Sequence, residues 1–503
     1  MSEQILKDLS FFLPEIALTV TLLVAILADL VAKRSTQVVP TMVMAGFLVA
    51  GALVLGQNGM HTSIFFNMLA VDPFAFFFKI VIMLSAILIV VFSLSSAELN
   101  TPGRKLGEYY ALLVALTLGM VLMAGASNLL MMYMALELSS ISSYTLAGYT
   151  REASDSSEAS LKYVIYGAFS SGLMLYGISI IYGLTGSLDI YTINQNLPTV
   201  VAAGGSGVFM LLIAGVLTLA GFGYKISAVP FHFWAPDVYE GAPITITAFL
   251  AVASKAGGFA MMIRFLKVTF FDNSAISLPA GTWATLQGFE WTHIVAALSV
   301  LTMTLGNVVA IWQNNMKRLL AYSSIAHAGY LLMGVVVLSN EGITAILLYF
   351  VIYLFMNLGA FYVVMLIANK IGSEDIEDYK GLGSRAPFLT VALAIFLVSL
   401  TGLPPTAGFI GKLYLFAALI NHGWVWLAIV GALNSVIALY YYARVLRNMF
   451  LRQGVLEQAP ALKFGGVQTV TTLVLLVPTL LLGIYFSPLV RLAEASVRIF
   501  GTP

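Results

Sequence analysis

Gly221-Phe222-Gly223-Tyr224-Lys225 is followed four residues later by Val229-Pro230, and Pro404-Pro405 leads into Gly408-Phe409-Ile410-Gly411-Lys412. In each stretch a lysine sits inside an apolar run beside proline. Proline in a helix interior removes a backbone donor and clashes with the preceding turn, so both helices are expected to be interrupted. The two lysines are 187 positions apart. Nearly the same offset, 186, lays Leu161-Lys162-Tyr163, Phe169, Tyr176 and Gly186-Ser187 over Leu347-Leu348-Tyr349, Phe355, Tyr362 and Gly372-Ser373. The chain therefore reads as carrying an internal repeat. Each copy holds five apolar runs, and because five is odd the second copy must be inserted upside-down. Inverted repeats with paired broken helices and charges near the midplane are a transporter signature.

Working outward, the remaining runs are also of bilayer length. Of 503 residues, 60% are hydrophobic and 9% charged, with mean hydropathy +0.95; a soluble chain carries roughly a quarter charged residues. About fourteen runs of about 20 residues can be counted. The expected fold is an all-α polytopic membrane protein with about 14 transmembrane helices, two inverted five-helix repeats, and broken helices 7 and 12. The organisation divides into a three-helix segment (1–107), a first repeat (108–270, helices 4–8), a second repeat (291–452, helices 9–13) and a C-terminal helix (453–503). Met1-Ser2-Glu3-Gln4 lacks the basic region of a signal peptide, so the first run is expected to stay as a helix.

Composition excludes several functions. Net charge is +1, which offers no basic surface for nucleic acid, and cysteine is absent, which removes thiolate catalysis and cysteine-ligated iron–sulfur clusters. The five histidines show no metal-ligand spacing. Gly408-Phe409-Ile410-Gly411-Lys412 is followed by Leu413 where a phosphate-binding loop needs Ser or Thr. Fourteen of the 24 Lys and Arg fall in one set of alternate loops, among them Lys33, Arg34, Lys317, Arg318 and Arg444; the other set and the termini hold only Lys7, Arg264, Lys267, Arg491 and Arg498. The positive-inside rule then puts both termini on the non-cytoplasmic side of the membrane.

Five lysines (Lys79, Lys162, Lys225, Lys255, Lys412) and one mid-span carboxylate, Glu137, remain inside the apolar runs. Charges there are costly, face a protein interior or water, and mark ion paths. A buried amine binds its proton less tightly, and an adjacent carboxylate restores the binding. A Glu137–Lys225 pair of changing separation would thus act as a proton switch. Lys255 lies mid-span among small residues, Lys412 directly after the double-proline break. His327 titrates near neutrality and suits a relay between lysines, with Ser323 one turn back on its helix face. Ser140, Tyr144 and Ser324 are placed to anchor water. Lys162 lies nearer a span end, where snorkelling competes. For Lys79, outside both repeats, a structural role is favoured.

The stretch Tyr224-Lys225-Ile226-Ser227-Ala228-Val229-Pro230-Phe231-His232-Phe233-Trp234-Ala235-Pro236-Asp237-Val238-Tyr239-Glu240-Gly241-Ala242-Pro243, with Ser254-Lys255 and Pro404 to Lys412, resembles the antiporter-like subunit N family of bacterial NADH–quinone oxidoreductase, respiratory complex I. The resemblance covers essentially the whole chain; the Asp237 to Pro243 segment separates it from the sister subunits L and M. It implies fourteen helices with two inverted repeats, a half-channel in each, and a central hydrophilic axis. It also implies Glu137 and Lys225 as the paired switch, Lys255 as the connecting residue, Lys412 as the terminal site, and Lys162 and His327 at positions the family keeps polar. Partners would be the other membrane and peripheral subunits, the lipid bilayer, protons and water. No cofactor is expected on this chain; FMN, iron–sulfur clusters, NADH and quinone belong to other subunits. The alternative is an Mrp-type cation/proton antiporter subunit, which shares this ancestry. An independent solute carrier is disfavoured because the interior polar groups are few and mostly cationic.

Overall fold

The computed structural model describes residues 2–31, 37–102, 104–202, 204–272, 281–286, 289–452 and 460–497. Lys33, Arg34 and Arg498 of the loop-charge argument lie outside the described residues. Twelve helices are long and apolar enough to cross a membrane. Two more crossings complete the set: Leu129–Ala147, whose run of serines lowers its hydropathy, and the broken pair Pro387–Thr401 and Ala407–Asn421. That makes fourteen among the described residues. Apart from isolated bridges, the strands there form one hairpin, β1 (Thr62–Ile64) with β2 (Leu69–Val71), joined antiparallel.

After α1 (Ser2–Phe11), the N-terminal segment is α2 (Leu13–Val31), α3 (Val38–Leu55) and α4 (Pro73–Ser95). The first five-helix unit runs α5 (Gly107–Gly125), α6 (Leu129–Ala147), α7 (Ser154–Thr185), α9 (Gly205–Ile226) and a final span. In that span α11 (Ile244–Phe249) and α12 (Lys255–Thr269) are joined by a π-helical turn, Leu250–Ser254. Two shorter helices, α8 (Ile190–Ala202) and α10 (Trp234–Gly241), sit in its connections. The second unit runs α13 (Trp291–Ala310), α14 (Met316–Val336), α15 (Asn340–Ile371), the halves α17 (Pro387–Thr401) and α18 (Ala407–Asn421) preceded by the one-turn α16 (Leu382–Arg385), and α19 (Val425–Leu451). α20 (Gly466–Ile484) and α21 (Ser487–Val497) close the chain.

The repeat is visible in the local chemistry that starts and stops these helices. Asn128 caps α6 by accepting from the Leu130 amide at 2.9 Å; Asn315 caps α14 by accepting from the Lys317 and Arg318 amides at 2.8 and 3.2 Å. Such caps satisfy donors that the first helical turn leaves free. The following amides, Leu129 and Met316, donate to Leu188 and Glu374 carbonyls at 2.8 Å each. α7 and α15 are both 32 residues long and both stop at a left-handed glycine, Gly186 (φ 71°) and Gly372 (φ 74°), a conformation that glycine adopts without steric cost. Packing repeats too. First helix on second, second on third, third on fourth and first on fifth are in contact in both units. The two copies meet along α12, α14 and α15, which are buried almost throughout, whereas α2, α3 and α20 present most of their surface outward.

Two expectations need correction. Arg264 and Lys267, assigned to a loop, lie in the last turns of α12 and are buried. Arg264 makes a bidentate pair with Asp72 (2.7 and 2.9 Å), and Lys267 donates to the Val337 carbonyl at 2.6 Å with its ammonium 4.5 Å from the Trp283 ring. Both charges have partners inside the protein, although Arg264 Nε has no hydrogen-bond partner among the described residues. Nor is Glu137 the sole deep carboxylate: Glu15, at the start of α2, is buried against Lys79 at 2.6 Å, with Gln57 Oε1 3.2 Å from the same ammonium. A carboxylate at a helix start draws little notice in a hydropathy reading.

This pair ties α2 to α4 with both side chains 3% exposed. Removing one partner of such a pair costs about 3–5 kcal/mol because the other charge is left buried alone. Lys79→Ala should therefore reduce the amount of assembled protein in membranes, and Lys79→Met with Glu15→Leu should restore much of it. A double variant no better than the single one, measured by native gel and thermal melting, would contradict the structural role.

Candidate functional site

Lys225 occupies the last turn of α9, where the helix dipole favours a cation, and is 1% exposed. Its ammonium donates to Ser139 Oγ at 2.8 Å and approaches Ser140 Oγ at 3.4 Å, both on α6. Glu137, on the same helix, acts on Lys225 through space but makes no ion pair with it. The expected pair is thus a near-neighbour arrangement instead of a contact. The serines intercept the ammonium. Glu137 instead borders a cavity of about 560 Å³ shared with Tyr133, Tyr144, Thr145 and Ser171, and its Oε1 is buried without a hydrogen-bond partner.

Lys255 is the first residue after the π-helical turn and 1% exposed. π-turns widen a helix locally and recur at functional sites. The Lys255 ammonium crosses to the second unit and donates to the Ser324 carbonyl at 2.6 Å. One turn along α14, His327 Nδ1 lies 2.6 Å from the Tyr349 hydroxyl, and its ring lies 5.1 Å from that of Tyr353. His327 is within electrostatic reach of both Lys255 and Lys412. Ser323, expected to serve His327, instead hydrogen-bonds the Tyr442 hydroxyl at 2.5 Å.

Lys412, in the second turn of α18, donates to the Thr401 carbonyl at the end of α17 (2.8 Å) and to Ser435 Oγ (3.0 Å), with its ammonium 4.3 Å from the Tyr330 ring centre. Lys225, Lys255, His327 and Lys412 therefore form one buried series across both units, beginning beside Glu137. Ser254 Oγ, Ser324 Oγ, the Tyr353 hydroxyl and both amide atoms of Asn357 are buried without protein partners. These are the kinds of group that ordered water satisfies.

Lys162 lies apart. At 37% side-chain exposure it pairs with Asp237 (2.5 Å) and Glu158 (2.7 Å), and Asp237 is shared with Arg318 at 2.6 Å, which also holds Glu240 at 2.7 Å. This cluster links α7, α10 and α14. Sequence reasoning used Asp237 and Glu240 only as letters in a motif and missed their ion pairs; it also missed Ser139, Tyr330, Thr401 and Ser435. Only their neighbourhood in space marks them, although Ser139 belongs to a visible cluster of serines in α6, with Ser140, Ser142 and Ser143.

A second cavity, about 550 Å³, opens where the connections after α4 and α15 meet; Glu98, Asn315, Glu374 and Asp375 line it. Burial pushes the Glu98 carboxyl above the usual carboxylate range, although the Lys317 charge and the Ile244 amide partly oppose this.

Fourteen spans, an inverted repeat and a buried lysine series across it define the antiporter-like class of membrane subunit. The model of the family described as NADH:quinone oxidoreductase/Mrp antiporter, TM matches residues 126–438. NADH-quinone oxidoreductase subunit N 2 of Chloroherpeton thalassium is 49% identical over 98% of this chain and 95% of its own. A chain of respiratory complex I from Thermus thermophilus superimposes with TM-score 0.77 at 29% identity, covering 96% of this chain and 99% of that one. A chain of the Mrp complex from Dietzia sp. superimposes at 0.83 over 98% of both chains, but at 20% identity, so this likeness shows the fold alone. The chain belongs to this family, in the branch of NADH-quinone oxidoreductase subunit N.

The raised Glu98 carboxyl has a signed consequence. A group whose folded value is raised favours its protonated form, so its stabilising contribution is complete in acid and is lost as pH rises through the raised value. Glu98→Gln, which mimics the protonated form, should raise the melting temperature relative to the parent at alkaline pH, with the difference disappearing below the ordinary carboxylate range. An equal difference at both pH values would contradict this assignment.

Proposed function

We propose that this chain is a proton-translocating membrane subunit of NADH–quinone oxidoreductase, moving protons across the cell inner membrane as NADH reduces quinone. The observation that carries the reading is the series Lys225, Lys255, His327 and Lys412: the ammonium groups are held by hydroxyls, carbonyls and a ring, and the imidazole meets a tyrosine hydroxyl, without any carboxylate in contact. Such an ammonium can release its proton without leaving a buried anion unpaired. Glu137 is the adjustable element. Moved toward Lys225 it strengthens proton binding there; moved away, it weakens it. Moving one charge against 100 mV takes about 2.3 kcal/mol, and one unit of proton affinity is about 1.4 kcal/mol. A swing of roughly two units per step is therefore sufficient, well within what burial and one neighbouring charge supply.

In this reading Lys255 passes the change from the first unit to the second through α14, His327 relays it, and Lys412 is the terminal site. Lys162 assists at the basic end of the first unit, through Asp237. The energy comes from other subunits, which hold FMN, iron–sulfur clusters and the NADH and quinone sites; both termini face away from the cytoplasm. The share of sequence held in common with the subunit N relatives, along the full length of both chains, supports this over exchange of cations by an Mrp-type assembly.

Glu137→Ala, Lys225→Ala and Lys412→Ala should each lower the proton gradient formed per NADH oxidised severalfold, and Lys79→Ala should change that ratio least. The measurement is dye quenching in membrane vesicles alongside NADH oxidation. Full pumping stoichiometry in Lys225→Ala vesicles would sink the switch.

A further inference from the structure

The surroundings of Lys412 contain a second polar feature that the proton series does not use. Ser435, which accepts from Lys412, lies 3.4 Å from the Tyr330 hydroxyl. The Asn307 amide nitrogen donates to that hydroxyl at 3.2 Å and to Asn434 Oδ1 at 3.2 Å, while Asn307 Oδ1 accepts from the Tyr441 hydroxyl at 3.1 Å. The Tyr441 ring packs against Tyr442, whose hydroxyl bonds Ser323. A continuous polar thread thus descends from Lys412 along the seam of α13 and α19. Three residues beyond Tyr441 is the partly exposed Arg444, at the basic end of α19.

The polarity of this thread is determined at one point. Asn434 Nδ2 is 3.1 Å from the Val430 carbonyl, which can only accept, and 3.1 Å from Thr304 Oγ1. That orients the Asn434 oxygen toward Asn307, which turns the Asn307 nitrogen to Asn434 and Tyr330 and its oxygen to Tyr441. Both amide nitrogens use both hydrogens, and both residues are buried. A hydroxyl or carboxyl can accept a proton on one lone pair and release another. A carboxamide must instead load its weakly basic oxygen and strip its nitrogen. The positions 187 residues earlier are Met120 and Thr247, so the first unit has no carboxamide pair on this seam.

We propose that the Asn307–Asn434 pair is an insulator: it gives Lys412 and Tyr330 a satisfied polar surrounding while barring protons from running down the α13–α19 seam to Tyr441, Tyr442 and Ser323. The two asparagines are positioning residues, and the inference rests on the proton-handling reading of Lys412. A carboxyl at 307 would bridge Tyr330 and Tyr441 with a group that conducts.

The test is passive and needs no turnover, so it fails or succeeds separately from the pumping measurement. The assembled complex is placed in liposomes without NADH, a potassium gradient with valinomycin drives proton entry, and internal pyranine reports it. Asn307→Asp should raise proton permeability severalfold, Asn307→Leu should stay as tight as the parent, and Lys412→Ala added to Asn307→Asp should restore tightness. Should Asn307→Asp not assemble, Asn434→Asp breaks the same pair. Tight Asn307→Asp liposomes, equal leaks from the Asp and Leu variants, or a leak that survives Lys412→Ala would each overturn the insulator.

Discussion

The fold is organised by how a buried ammonium is satisfied. Among the described residues, the buried lysines, together with Arg264, fall into two groups. Lys79, Arg264 and Lys317 each touch a carboxylate: Glu15, Asp72 and Glu374. Lys225, Lys255, Lys267 and Lys412 touch only neutral partners. Members of the first group are cross-links, since losing either charge strands the other in a medium that penalises it. Members of the second can exist with or without their proton at much lower structural cost. The distinction separates lysines locked to a carboxylate from lysines that are not; of the latter, Lys225, Lys255 and Lys412 lie in the series across both units, and Lys267 lies apart at the end of α12 against Val337 and Trp283.

Much of this was legible in the sequence, for reasons that particular residues make plain. The offset between Lys225 and Lys412 survives because both copies keep the asparagine cap of the second helix, at 128 and 315, and the length and glycine stop of the third, at 186 and 372. Apolar runs of bilayer length gave the count of crossings. Less legible was which polar side chains meet, since that depends on rotation and depth of each helix. Glu137 and Ser139 are two residues apart, yet the ammonium of Lys225 reaches the serine. Lys267 read as a loop charge because it lies near a span end; nothing local announced the Val337 carbonyl waiting across the interface. The π-helical turn before Lys255 has no local motif either, although the small residues around it permit the close packing of helices there.

The two copies solve one problem by different routes. Break and lysine are in opposite order: α9 ends just after Lys225, whereas α18 begins five residues before Lys412. If only sequence offset mattered, the second ammonium would lie near the positive end of a half-helix, where a cation is disfavoured. Its side chain instead reaches back to Thr401, the last residue of α17, and takes the free carbonyl at that helix's negative end. Lys225 has the same electrostatic setting within its own helix. The interruption serves each lysine differently: in the second copy it supplies the acceptor itself, the Thr401 carbonyl, whereas in the first it sets Lys225 in the last turn of α9 with Ser139 Oγ as its acceptor. In both copies the lysine lies beside the negative end of a helix, close to proline. Any movement that reseals or widens either break would change how tightly its lysine holds a proton, which makes the breaks the natural points at which a distant redox event could act on this chain.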